Sequence, residues 1–73
     1  MEATFLPARL RHRRTAKGLT LAEAGALIGA TRQQWHAWET GRHKPQFETV
    51  LKLAAAVGCP PGELHPGLKG IGS

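Results

Sequence analysis

Residues 20–41 read TLAEAGALIGATRQQWHAWETG, and their spacing is that of two short helices meeting at a sharp turn. Thr20 followed by Glu23 forms a capping box: the hydroxyl takes an orphan backbone N–H three residues on, and the carboxylate reaches back to the cap. A helix therefore starts at Leu21. Gly29 comes directly after Leu27 and Ile28, where a helix ends on a residue that tolerates left-handed backbone, and Thr31 is placed to cap a new helix. That second helix is predicted from Arg32 to about Thr40, with Gly41 as its stop.

At roughly 100° per residue, Trp35, Trp38 and Glu39 fall on one side of the second helix and Gln33, His36, Ala37 and Thr40 on the other. Arg32 and Gln34 lie on the shoulders. Two tryptophans turned inward hold the helix, and a hydrogen-bonding face turned outward is free to read something. Ala24, Gly25 and Ile28 of the first helix face it, so small residues stand where indoles must fit; Gly25 is expected to be small because Trp35 or Trp38 packs over it.

N-terminal to this unit, Phe5 to Lys17 has a helical pattern, with Leu6, Leu10 and Arg14 recurring on one face and Pro7 tolerated in the first turn. This helix carries Arg9, Arg11, Arg13, Arg14 and Lys17 and no acid. Most of the five read as a solvated face, but Arg14 lies in line with Leu6 and Leu10 and points inward. Gly18 ends the helix and Leu19 tucks into the core. On the other side, Arg42–His43–Lys44–Pro45 is a basic loop stiffened by proline. Phe47 to Val57 is a further helix, with Phe47, Val50, Leu51, Ala54 and Val57 as its core stripe and Gly58 as its end. Cys59 reads as a small buried hydrophobe, and Pro60 and Pro61 open a short last helix through Leu64. Residues 1–4 read as frayed, and residues 65–73, HPGLKGIGS, as a flexible Gly-rich tail from which Leu68 and Ile71 reach toward a second subunit. The chain is thus all-α, one five-helix domain over residues 5–64, without internal repeats.

Seventy-three residues make a domain that buries only about 60% of its unfolded surface, so a partner subunit would help it. Ten Lys and Arg against five Asp and Glu leave a net charge of +5, a balance that favours a polyanionic partner. The single cysteine excludes an internal disulfide and fits a reducing cytoplasm. No apolar run approaches the ~20 residues needed to span a bilayer, and the start MEATFLPARL lacks the plan of a signal peptide. His12, His36, His43, His65 and Cys59 show no paired metal-ligand spacing. Cys59 has no orienting partner for nucleophilic work, and there is no phosphate-cradling glycine loop. No enzyme activity, metal, cofactor or small-molecule ligand is expected.

The small residue at Gly25, the turn glycine Gly29, the cap Thr31, apolar Trp35 and Trp38, then Glu39 and Gly41 and a basic loop to Pro45 resemble the lambda-repressor-like, Cro-type (XRE) helix-turn-helix family. The resemblance covers about Leu6 to Leu64, roughly four fifths of the chain. It implies a compact five-helix lambda-repressor-like bundle. It also implies an ion pair between Arg14 and Glu39, and a loop, here Arg42 and Lys44, lying on the sugar-phosphate strand. Two positions depart from the family's habit: Leu21 stands where a phosphate-binding Gln is common, and Leu27 is apolar where a polar residue is usual, which brings a contact with another protein into play.

On this reading the chain is a sequence-specific double-stranded DNA-binding regulator, a small phage- or plasmid-type repressor. A dimer would read an inverted repeat about one helical turn apart. Arg32 and Gln33 enter the major groove first, because Arg suits guanine O6 and N7 and Gln suits adenine N6 and N7 in bidentate geometry. His36 and Ala37 lie one turn deeper. Thr20, Thr31, Gln34, Thr40, Arg42 and Lys44 are expected on the DNA backbone, the two Thr residues beside free N–H groups at helix starts. The alternative is an antitoxin or other protein-interaction module with secondary DNA binding, for which nine tail residues offer little to wrap a toxin. An RNA-binding module would expose stacking aromatics, and here both tryptophans point inward.

Overall fold

The computed structural model describes residues 5–68; the expectations for residues 1–4 and 69–73, the contact proposed for Ile71 included, lie outside the described residues. Pro7 sets where the first helix begins. A residue before proline is driven out of the helical region, and Leu6 is extended, with φ −112° and ψ 92°. Helix α1 is therefore Pro7–Ala16 rather than starting at Phe5, while Phe5 itself is buried ahead of it. The Leu6 N–H donates to the Leu64 carbonyl at 2.7 Å, tying the start of the fold to its end. Helices α2 (Leu21–Leu27), α3 (Arg32–Glu39), α4 (Phe47–Val57) and α5 (Pro61–Leu64) follow, and a 3-10 turn at Pro66–Leu68 stands where a flexible tail was expected to begin.

Helices α2 and α3 pack on each other, and α1 lies against α3, α4 and α5. Trp35 is the largest fully buried side chain; Leu10, Ala24, Val50, Leu53, Ala54, Val57 and Leu64 complete the core around it with Phe5 and Cys59. One part of the expected α4 stripe is corrected. Leu53 is fully buried, whereas Phe47 and Leu51 are 48% and 38% exposed. The apolar arc of α4 is wider than its contact with the rest of the bundle, and the packed side is centred on Val50, Leu53, Ala54 and Val57, leaving the Phe47 and Leu51 edge uncovered.

The turn between α2 and α3 is closed by backbone. Gly29 has φ 71°, which sends the Ala30 N–H back to the Gly25 carbonyl at 2.9 Å. The reason for Gly25 also differs from the expected one. A Cβ there would stand 2.7 Å from the Ala30 carbonyl oxygen and 3.1 Å from that of Thr31, so the returning main chain, not an indole, excludes a side chain. At the far end of α3, Gly41 has φ 78°. The Arg42 N–H then bonds to the Ala37 carbonyl at 3.0 Å and the Gly41 N–H to the Trp38 carbonyl at 3.4 Å, the double closure of a Schellman end. This turn directs the Arg42–Lys44 loop away from the end of α3.

Candidate nucleic-acid interface

The position of α3 is fixed by one buried acid. Glu39 is 9% exposed and accepts from Arg14 Nε at 2.5 Å, from Arg14 Nη2 at 3.1 Å and from the Trp35 indole N–H at 2.6 Å. Arg14 spends a further N–H on the Leu19 carbonyl at 2.8 Å. The fork-to-fork pairing leaves both charges compensated and every buried donor on Trp35 satisfied. Trp38 meets Trp35 edge-on, ring centroids 6.4 Å apart at 69°. With α1 locked to this side of α3, the opposite side is left bare.

On that bare side Arg32, Gln33 and His36 are exposed and Ala37 is half-buried, so the four residues expected to read bases share one accessible strip. Thr20 and Thr31 are exposed at the starts of α2 and α3, and both stand in complete capping boxes. Their hydroxyl oxygens accept from the Glu23 and Gln34 N–H groups at 3.0 Å each, which leaves each hydroxyl proton available for a phosphate oxygen. Gln34 has a local duty beyond its place on the shoulder of the helix: its side-chain carbonyl accepts from the Thr31 N–H at 2.8 Å, and only its amide donors remain free. Thr40 is less suited to its expected role, because its hydroxyl proton is directed at the His36 and Ala37 carbonyls, 3.0 and 3.3 Å away. Arg42 and Lys44 are both exposed on the loop after Gly41.

The basic helix is not uniformly solvated. Both nitrogens of an Arg13 fork bond the Glu63 carboxylate, and Arg9 donates to the Glu63 main-chain carbonyl at 3.2 Å. The Arg13 hydrogen bond holds the Glu63 carboxyl below its ordinary range, and Glu63 in turn raises the Arg13 pKa. Nothing in the local sequence signals this pair, because its partners are fifty residues apart and meet only when α5 docks on α1. Burial pushes the Cys59 thiol up, with the Glu63 charge adding to it, the opposite of what a nucleophile requires. Among the described residues no three His, Cys, Asp or Glu side chains gather as a metal site, and no helix is long and apolar enough to cross a membrane.

The model of a helix-turn-helix domain family matches residues 6–66. A search of curated proteins finds no match, but solved structures do. The crystal structure of the P22 c2 repressor in complex with synthetic operator 9T superposes with a TM-score of 0.77 at 28% identity, covering 84% of this chain and 92% of that one. The solution structure of the P22 c2 repressor DNA-binding domain gives 0.78 at 30% identity, covering 100% and 92%. The restriction-modification controller protein C.AhdI from Aeromonas hydrophila gives 0.75 at 38% identity, covering 80% and 88%. With the capped α2–turn–α3 unit, the Arg14–Glu39 brace and matches of this extent, the chain belongs to the lambda-repressor-like, Cro-type (XRE) family of helix-turn-helix DNA-binding proteins.

Proposed function

We infer that this protein is a sequence-specific double-stranded DNA-binding transcriptional regulator, a small repressor of phage or plasmid type that works in the bacterial cytoplasm or a phage-infected cell. The observation that carries the reading is the outward strip of α3, with Arg32, Gln33 and His36 exposed and flanked by the exposed cations of Arg42 and Lys44. Base contacts specify and phosphate contacts position, and these two kinds of group lie on adjacent parts of one surface. The neighbours named as an operator-bound repressor and a controller protein support the same reading.

The active form is a homodimer on an inverted repeat. Phe47 and Leu51 stand one turn apart on the uncovered edge of α4, directly after the basic loop, and form an apolar patch that a second subunit would cover. Leu27, at 60% the most exposed large hydrophobic among the described residues, favours a second reading, a protein-interaction module with secondary DNA binding.

Selection of binding sites from random duplex DNA tests the proposal. Enrichment of an inverted repeat with half-site centres about 10 base pairs apart is expected. A pool that shows no enrichment while a protein partner is captured through Leu27 would favour the second reading.

A further inference from the structure

We propose that Arg11 is a DNA-backbone contact: its guanidinium binds a phosphodiester in a notch between α1 and α3, beside the base-reading strip. The inference rests on the DNA-binding reading above and adds a residue to it.

The structure sorts the four arginines of α1, and Lys17 at its C-cap, by what they touch. Arg9 and Arg13 turn toward Glu63, Arg14 toward Glu39 and the Leu19 carbonyl. Lys17 lies across Gly58, its Cε 3.2 Å from where a Cβ would stand there. Arg11 is exposed; its main-chain carbonyl accepts from the Thr15 hydroxyl, but its guanidinium has no hydrogen-bond or ion-pair partner among the described residues. Three residues before Arg14, it lies on the side of α1 next to α3, and it lines a concave notch with Arg14, Leu21, His36, Glu39 and Thr40. Among the described residues Glu39 is the one acid of that notch, and its oxygens already receive Arg14 and Trp35. The Leu21 side chain is apolar, and the Thr40 hydroxyl is turned to its own helix. An anion entering the notch therefore meets Arg11 on one wall and the His36 ring on the other, with no free carboxylate among the described residues to repel it. An Arg fork matches two phosphate oxygens, and a strand bordering the groove read by Gln33 and His36 brings a phosphate to that depth.

The test is fluorescence anisotropy with the selected duplex and a scrambled one across a salt series. It uses the full chain and its Arg11→Ala, Arg11→Lys and Lys52→Ala variants, with circular dichroism to show that each is folded. Lys52 lines a different groove, with Lys17 and Leu27, and serves as the control for loss of one charge. Arg11→Ala should weaken binding to both duplexes about tenfold per subunit and flatten the slope of log K against log salt by about 0.9 per subunit. Arg11→Lys should restore the slope, and Lys52→Ala should leave it parental. A parent that binds with strong salt dependence while Arg11→Ala keeps its slope and affinity overturns the assignment of Arg11 alone. A parent that binds no duplex at any salt overturns the DNA reading and this inference with it.

Discussion

Glu39 shows how a single side chain can decide what a helix presents. Its carboxylate lies between the Arg14 fork and the Trp35 indole N–H, and the side chains of Arg14 and Glu39 are 11% and 3% exposed. Burial makes the magnitude large: truncating one member of a buried pair costs about 3 to 5 kcal/mol because the other is left uncompensated, whereas an exposed pair is worth about 0 to 1. Urea melts of Arg14→Ala should show the larger loss, and a loss of a few tenths of a kcal/mol would mean that the charge is solvated and the brace idle. Gly25 supplies a second test at this scale. An Ala in mid-helix normally gains about 1 kcal/mol over Gly, but here its Cβ would stand 2.7 Å from the Ala30 carbonyl oxygen, main chain that no rotamer change can move. Gly25→Ala should therefore destabilise, by about 1 to 3 kcal/mol. A variant as stable as the parent would show that the turn yields without cost.

At the scale of helices, what could be read from the sequence is what is decided within a few residues. Thr20 with Glu23, Thr31 as a cap, and Gly29 and Gly41 as stops all act over one turn, and α2 and α3 begin where those residues place them. The 100° helical spacing likewise separates Trp35 and Glu39 from Gln33 and His36. Thr40 falls on the outward face of α3 and Gln34 on its shoulder, which points both toward DNA, but their bonds to the local backbone compete for the same polar atoms; the Thr31–Gln34 spacing, identical to Thr20–Glu23, is the available signal for the first. The rotation of α4 that buries Leu53 and exposes Leu51 was not legible, since both are apolar and only the neighbouring helices select between them. Nor was the clamp of α1 to α5, whose acid, Glu63, finds Arg13 only through tertiary docking. That clamp has a pH signature. Arg13 lowers the pKa of Glu63 from the ordinary 4.5, so the stabilisation is fully present above that value and is lost as pH falls through the lower value of the folded state. Thermal melts of the parent and Glu63→Gln should differ by a constant margin near neutral pH and converge in acid. A margin that persists down to about pH 2 would show that the carboxylate charge is not its source.

For the molecule as a whole, a net charge of +5 attracts any polyanion, and in the proposed function selectivity comes from the division of labour the fold imposes on the surface. The Arg14–Glu39 brace turns Gln33 outward, the Schellman end at Gly41 projects Arg42 and Lys44 beside it, and Arg9 and Arg13 are withdrawn to hold α5. Reading and anchoring should therefore fail differently. Arg32→Ala or Gln33→Ala should cost about 1 to 3 kcal/mol on the cognate site and relax preference at one or two base pairs per half-site. Arg42→Ala or Lys44→Ala should weaken cognate and random DNA alike and flatten the salt slope by about 0.9 per subunit, roughly 1.8 per dimer. The direct measurement is the cognate-to-scrambled affinity ratio of Gln33→Ala and Lys44→Ala, by fluorescence anisotropy across a salt series. The ratio should fall for Gln33→Ala and hold for Lys44→Ala; a ratio unchanged by the first and collapsed by the second would place the base-reading face on other residues.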